Sequence, residues 1–155
     1  MESSELNRLL AEEYLHLQSV IEEFDSKALT IKAWSVTFSL AALGAAYAAK
    51  ASSILLVASA SALLFWLLEG YWKTFQYAYY QHAGELEAHF AGEKDQAVAM
   101  QIGRTWYKRW KAGGGRLLIR IMFWPHVALP HLAATIFGLL LYALHVAGLI
   151  PVSRP

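Results

Sequence analysis

The chain of 155 residues is 57% hydrophobic and only 16% charged, with a formal net charge of +1. That balance is too apolar for an ordinary water-soluble domain and suits a bilayer as solvent. The absence of cysteine excludes a disulfide framework and any thiolate metal site. The acidic, strongly polar N-terminus does not read as a secretory signal peptide, and the first apolar run starts too late to be one, so the apolar segments are expected to stay in the mature protein.

Ser4 to Asp25 contains no glycine or proline. Leu6, Leu10, Leu17, Val20 and Phe24 fall on a heptad-like seam that Leu9 and Ile21 widen, which predicts an amphipathic helix. Glu13 interrupts the seam, while Glu2, Glu5, Glu12, Glu22 and Glu23 make the segment acidic. It reads as a cytoplasmic helix packed on its neighbours, because helices that lie on lipid favour Lys and Arg. Nothing breaks it before the first apolar segment, so one long rod is expected.

From Leu29 to Trp72 two long apolar segments meet at Lys50-Ala51-Ser52-Ser53, the pattern of a transmembrane helical hairpin. Ala33 to Ala49 carries no charge, and with Leu29 to Ile31 it reaches the roughly 20 residues a span needs. Ala41, Ala42, Gly44, Ala45, Ala46, Ala48 and Ala49 on the first arm, and Ser52, Ser53, Ala58, Ser59, Ala60, Ser61 and Ala62 on the second, predict close packing near the connection. The second arm ends in Trp66, Glu69, Tyr71, Trp72, Lys73, Phe75, Tyr77, Tyr79 and Tyr80, a mixture of the membrane–water interface. Gly84 is the first expected break, with a bend at Gly70 as the alternative.

Lys32 and Glu69 stand equally far from the connection and so level on antiparallel helices. A lone charge at a helix centre costs about 2.5 to 3.5 kcal/mol on insertion scales, so such residues face a partner or water. One reading is an ion pair that fixes the hairpin register. The other is a charged ring at the cytoplasmic mouth of an oligomeric pore.

Beyond Gly84 the chain turns polar. A short helix over Glu85 to Ala91, then Gly92, then a helix from Asp95 to Lys111 are expected. Arg104, Lys108, Arg109, Lys111, Arg116 and Arg120, beside Trp106, Tyr107 and Trp110, read as a basic amphipathic loop held by anionic lipid headgroups. Basic residues interleaved with aromatics also grip nucleic acid, but a segment between two membrane spans is not placed for that. Ala112-Gly113-Gly114-Gly115 reads as a hinge. A third span is expected from about Leu129 to Ile150, ended by Pro151, with Pro130 tolerated near its start. Leu117 to Trp124 is either interfacial or the start of a kinked, longer or re-entrant third segment.

The loop before the third span holds most of the Lys and Arg, whereas the hairpin connection has Lys50 and the C-terminal tail Arg154. The positive-inside rule then puts the N-terminus and the loop in the cytoplasm and the tail outside. The expected fold is all-α and polytopic with three transmembrane helices, divided as 1–28 (amphipathic helix), 29–82 (hairpin and its extension), 83–124 (basic segment) and 125–155 (third helix and tail).

Few residues point to chemistry. In the extension Glu85 stands level with His16 and His89 with Glu12, while Glu13 and His16, like His82 and Glu85, are three apart. Helical bundles build metal sites from such carboxylate and imidazole pairs, though solvated helix faces give the same spacing. His126 and His131 bracket the entrance of the third span and His145 lies near its outer end. They read as interfacial or hydrogen-bonded histidines, with a proton relay or haem ligation as the other reading. Phosphate-cradling loops, nucleophile elbows and zinc-protease motifs are missing, so no catalytic residue, metal or cofactor is expected.

Tyr14 to Tyr80, through EYLHLQSVIEEFDSKALTIKAWSVTFSLAALGAAY and SALLFWLLEGYWKTFQYAYY, resembles a group of small, uncharacterised bacterial inner-membrane proteins. The resemblance implies an inner-membrane location. In architecture a polar helix leading into a two-span hairpin is similar to the SLATT membrane effectors of bacterial conflict systems, which implies a pore; the basic loop and third span depart from that plan. The expectation is a small non-enzymatic, homo-oligomeric membrane protein forming an ion pore. Its alternatives are an accessory or scaffold subunit docked on a partner membrane protein, and a membrane metalloenzyme using the His/Glu cluster.

Overall fold

The computed structural model describes residues 3–93 and 97–152. Within them the chain forms four helices and no strand: α1 (Ser3–Ala48), α2 (Ser53–Phe90), α3 (Ile102–Met122) and α4 (Pro125–Val146). Three of these, α1, α2 and α4, are long and apolar enough to cross a membrane. Glu2, the helix start expected at Asp95, and Arg154 lie outside the described residues.

Three helix ends share one device, a residue in the left-handed conformation whose neighbours turn their N–H groups back onto the last carbonyls. Lys50 (φ 52°) ends α1, with Ala51 N–H donating to Ala46 O at 3.0 Å. Gly92 (φ 78°) ends α2, with Glu93 N–H donating to Ala88 O at 2.9 Å. Gly148 (φ 75°) ends α4, with Leu149 N–H donating to Leu144 O at 2.9 Å.

These ends revise several expected boundaries. α4 stops at Gly148 and not at Pro151, because glycine takes the left-handed cap before proline is reached. It also starts earlier than Leu129, with Pro125 in its first turn and Trp124 extended (φ −63°, ψ 135°) as its N-cap, the conformation proline imposes on the residue before it. Gly84 does not break α2, which runs unbroken to Phe90. Its neighbours Ala83 and Leu86 are buried, and packing of that face outweighs a glycine's weak propensity. Among the described residues α3 starts at Ile102, with Met100 just before it at φ 64°, outside helical geometry. At Gly114 (φ 54°, ψ −162°) α3 leaves helical geometry. Leu117 to Met122 then forms its last turns.

The chain divides into two compact units, the first of Met1–Lys27 and Tyr71–Leu118, the second of Ala28–Gly70 and Ile119–Pro155. In the first, the predicted seam supplies the core: Leu10, Leu17 and Ile21 pack with Ala83 and Leu86, flanked by Leu6, Tyr14, Tyr79 and Ile102. Trp106 and Trp110 stack with centroids 5.8 Å apart, and Trp106 Nε1 donates to Phe75 O at 3.1 Å. In the second, Ala46, Leu55 and Val152 form a small core with Leu43, Ile54, Leu141, Tyr142 and Ile150 around it.

Candidate functional site

The second unit contains a chain of polar side chains that links its three apolar helices. Lys32 and Ser35 lie one turn apart on α1, Glu69 is on α2 and His131 on α4. The Lys32 ammonium donates to Glu69 Oε1. Glu69 Oε2 is 2.8 Å from His131 Nε2, and His131 Nδ1 is 2.8 Å from Ser35 Oγ. Ser35, Glu69 and His131 are fully buried, whereas the Lys32 side chain keeps 17% of its surface. A carboxylate can only accept, so a ring proton sits on Nε2, and in the neutral ring Nδ1 accepts the Ser35 hydroxyl. Every member is satisfied, which is the condition for keeping such groups in an apolar interior.

Deeper in the same unit the polar seam continues. Thr135, one turn beyond His131, is buried with its hydroxyl unpartnered. The Ser59 hydroxyl faces both Leu55 O (3.1 Å) and Thr135 O (3.2 Å). A Cβ on Gly138 would come within 2.4 Å of Ser59 Oγ, so α2 and α4 approach as closely as a missing side chain permits. Beside this contact lies an apolar cavity of about 410 Å³, lined among others by Val36, Leu40, Ala58, Pro130 and Phe137.

The residues picked out for headgroup binding separate into two kinds. Arg104, Lys108, Lys111, Arg116 and Arg120 are exposed. Arg109 is not free for lipid, because its guanidinium is committed to Glu85 with only 13% of the side chain exposed. Lys111 lies 6.0 Å over the Tyr107 ring.

The His/Glu cluster does not assemble as the level-counting implied. Glu13 pairs with His82 at 2.8 Å, Glu85 with Arg109, and His89 with Asn7 at 3.1 Å, while His16 is exposed. Among the described residues no three His, Cys, Asp or Glu converge as a metal site. His126 is exposed beside Trp124, and His145 Nδ1 accepts Val152 N–H at 3.2 Å.

Two features escaped the sequence reading. His131 was placed at the entrance of the third span, but the face it presents follows from how α4 packs. Glu13 looked like a flaw in the seam and is a buried anchor, accepting from Met100 N–H (2.7 Å), Gln101 N–H (3.2 Å) and His82. A charge on an otherwise apolar seam was the available signal. Nearer the N-terminus the Arg8 guanidinium, bonded to Glu5 and Glu12, holds the Glu5 carboxyl below its ordinary value. Tyr14 donates to Glu87 at 2.8 Å, which pushes its phenol up.

Fold and site together define an all-helical protein with three helices fit to cross a membrane and a buried ionisable chain joining them. Comparison with known protein families, characterised proteins and solved structures found no match.

Proposed function

We propose that the chain is a small, non-enzymatic integral membrane protein of the bacterial inner membrane that assembles with copies of itself into an ion pore, its N-terminus and basic α3 segment facing the cytoplasm. One observation carries this reading: Lys32, Glu69, His131 and Ser35 form a buried ionisable chain within apolar helices. Such groups are expensive in a bilayer and mark ion or proton paths.

Assembly is supported by the surface of α1. Ala41, Gly44, Ala45 and Ala48 are all exposed at the small-xxx-small spacing that lets helix backbones approach. The chain by itself leaves that face uncovered, and a Cβ on Gly44 would meet nothing within 4 Å.

Native mass spectrometry in mild detergent and ion flux in liposomes test the reading together. A defined homo-oligomer with flux that changes in Glu69→Gln is expected. A strict monomer without flux would remove the pore, and stoichiometric co-purification of another membrane protein would favour an accessory subunit.

A further inference from the structure

We propose that the first unit carries a binding site for a soluble phosphate monoester, built on His82 and Arg104. This goes beyond the pore reading and stands without it. A cavity of about 370 Å³ is lined by residues that include His82, Glu85, Gln101, Arg104 and Thr105, a size that suits a small metabolite.

His82 is 5% exposed, and its ring is fixed from one side. Nε2 lies 2.8 Å from Glu13 Oε1, and the same carboxylate accepts Met100 and Gln101 N–H. An acceptor so engaged sets the tautomer with the proton on Nε2. Nδ1 is buried and has no hydrogen-bond partner. Its nearest charged neighbour, Glu85 Oε2 at 3.9 Å, is beyond hydrogen-bond reach and is engaged by Arg109. His82 and Glu85 both line the same cavity, which places Nδ1 at its wall. Among the described residues of this unit His82 Nδ1 and Arg109 Nη1 are the buried side-chain polar atoms without a partner, and an orphan of this kind is the mark of a missing group.

The charges choose that group. Glu13 is used by His82 and two backbone N–H groups, and Glu85 by Arg109, so Arg104, exposed at the cavity, is left to meet an anion. The ligand must present an O–H to Nδ1 and negative oxygens to a guanidinium. A singly protonated phosphate monoester carries both on one phosphorus. A simple carboxylate lacks the donor, a hydroxy acid carries it on a separate carbon, and a polyol lacks the charge. Nothing covalent is required.

The full chain in detergent is titrated with glycerol 3-phosphate and inorganic phosphate, reading the His82 ring by NMR and affinity by calorimetry. Sulfate serves as the anion without an O–H, and nanodiscs with phosphatidic acid present the same monoester on a lipid. Expected is saturable phosphate binding about tenfold tighter than sulfate, the step one charge-assisted hydrogen bond supplies. His82→Gln keeps an amide donor for Glu13 but removes Nδ1, and should weaken binding about tenfold. Arg104→Gln, on an exposed residue, should do the same without unfolding, and Lys108→Gln should change nothing. Phosphate no tighter than sulfate, or binding indifferent to both His82→Gln and Arg104→Gln, overturns the proposal. Response to phosphatidic acid alone overturns the soluble ligand and assigns the site to lipid.

Discussion

Glu69 has two oxygens and gives each to a different helix, Oε1 to Lys32 of α1 and Oε2 to His131 of α4. Removing one partner of a buried pair costs about 3 to 5 kcal/mol because the other charge is left uncompensated. The two deletions are unequal. Lys32→Met strands a carboxylate that is fully buried, whereas Glu69→Gln strands an ammonium whose side chain is 17% exposed and can lift its head toward polar surroundings. Unfolding in detergent should therefore show the larger loss for Lys32→Met, and equal losses would contradict this. Exchanging the two charges remakes the ion pair but requires His131 to carry its proton on Nδ1, with Nε2 accepting from the ammonium and Ser35 turned to accept, so the double variant should recover only part of the loss. The Lys32 and Glu69 contact was legible from their equal distance to the connection. His131 was not, since a histidine among apolar residues is mute until the packed face of α4 is known. At the exposed end of α1, Glu5 is held low by Arg8. A depressed carboxyl stabilises above its unfolded value and loses that contribution as pH falls through the folded one. Carboxyl NMR should find Glu5 titrating below the ordinary range, and Arg8→Gln should return it there.

Among the elements, α2 and α4 meet where Gly138 faces Ser59. Gly138→Ala would drive a methyl group to 2.4 Å from Ser59 Oγ and 3.2 Å from Leu55 O. The side chain can give way and the carbonyl cannot easily do so. A lower thermal midpoint is expected for Gly138→Ala, reflecting a stability loss of about 1 to 3 kcal/mol as for other overpacked contacts. Adding Ser59→Ala should recover the part due to the hydroxyl and leave the part due to the Leu55 carbonyl, and a normal midpoint in Gly138→Ala alone would show that the helices are not held this close. Equal distance from the connection also holds further out for Tyr14 and Glu87, which touch at 2.8 Å, but not for Glu85 and His16, since His16 is exposed and Glu85 is engaged by Arg109. There the contact is decided by which face of each helix turns inward. Glu13 and His82 point at each other although they are not level. Gly92 was legible as a stop, but Gly84 was overrated as a break because buried Ala83 and Leu86 hold that turn.

For the whole molecule, composition alone foretold helices fit for lipid, but sidedness rests on charge placement. Arg104, Lys108, Arg109, Lys111, Arg116 and Arg120 all lie within α3, while the connection between α1 and α2 offers Lys50. The positive-inside rule predicts Ser4 and Lys108 on the cytoplasmic side and Lys50 outside. The chain lacks cysteine, so single replacements can report this without background. Lys50 is exposed, although its φ of 52° makes any substitution there mildly strained. Ala49, next to it and also exposed, is the safer site. In intact cells Ala49→Cys should react with a membrane-impermeant maleimide, whereas Ser4→Cys and Lys108→Cys should react only after lysis. The reverse pattern would invert the orientation and put Lys32 and Glu69 at the outer mouth. Labelling of all three in intact cells would mean that the helices do not cross, and the pore would fall with them.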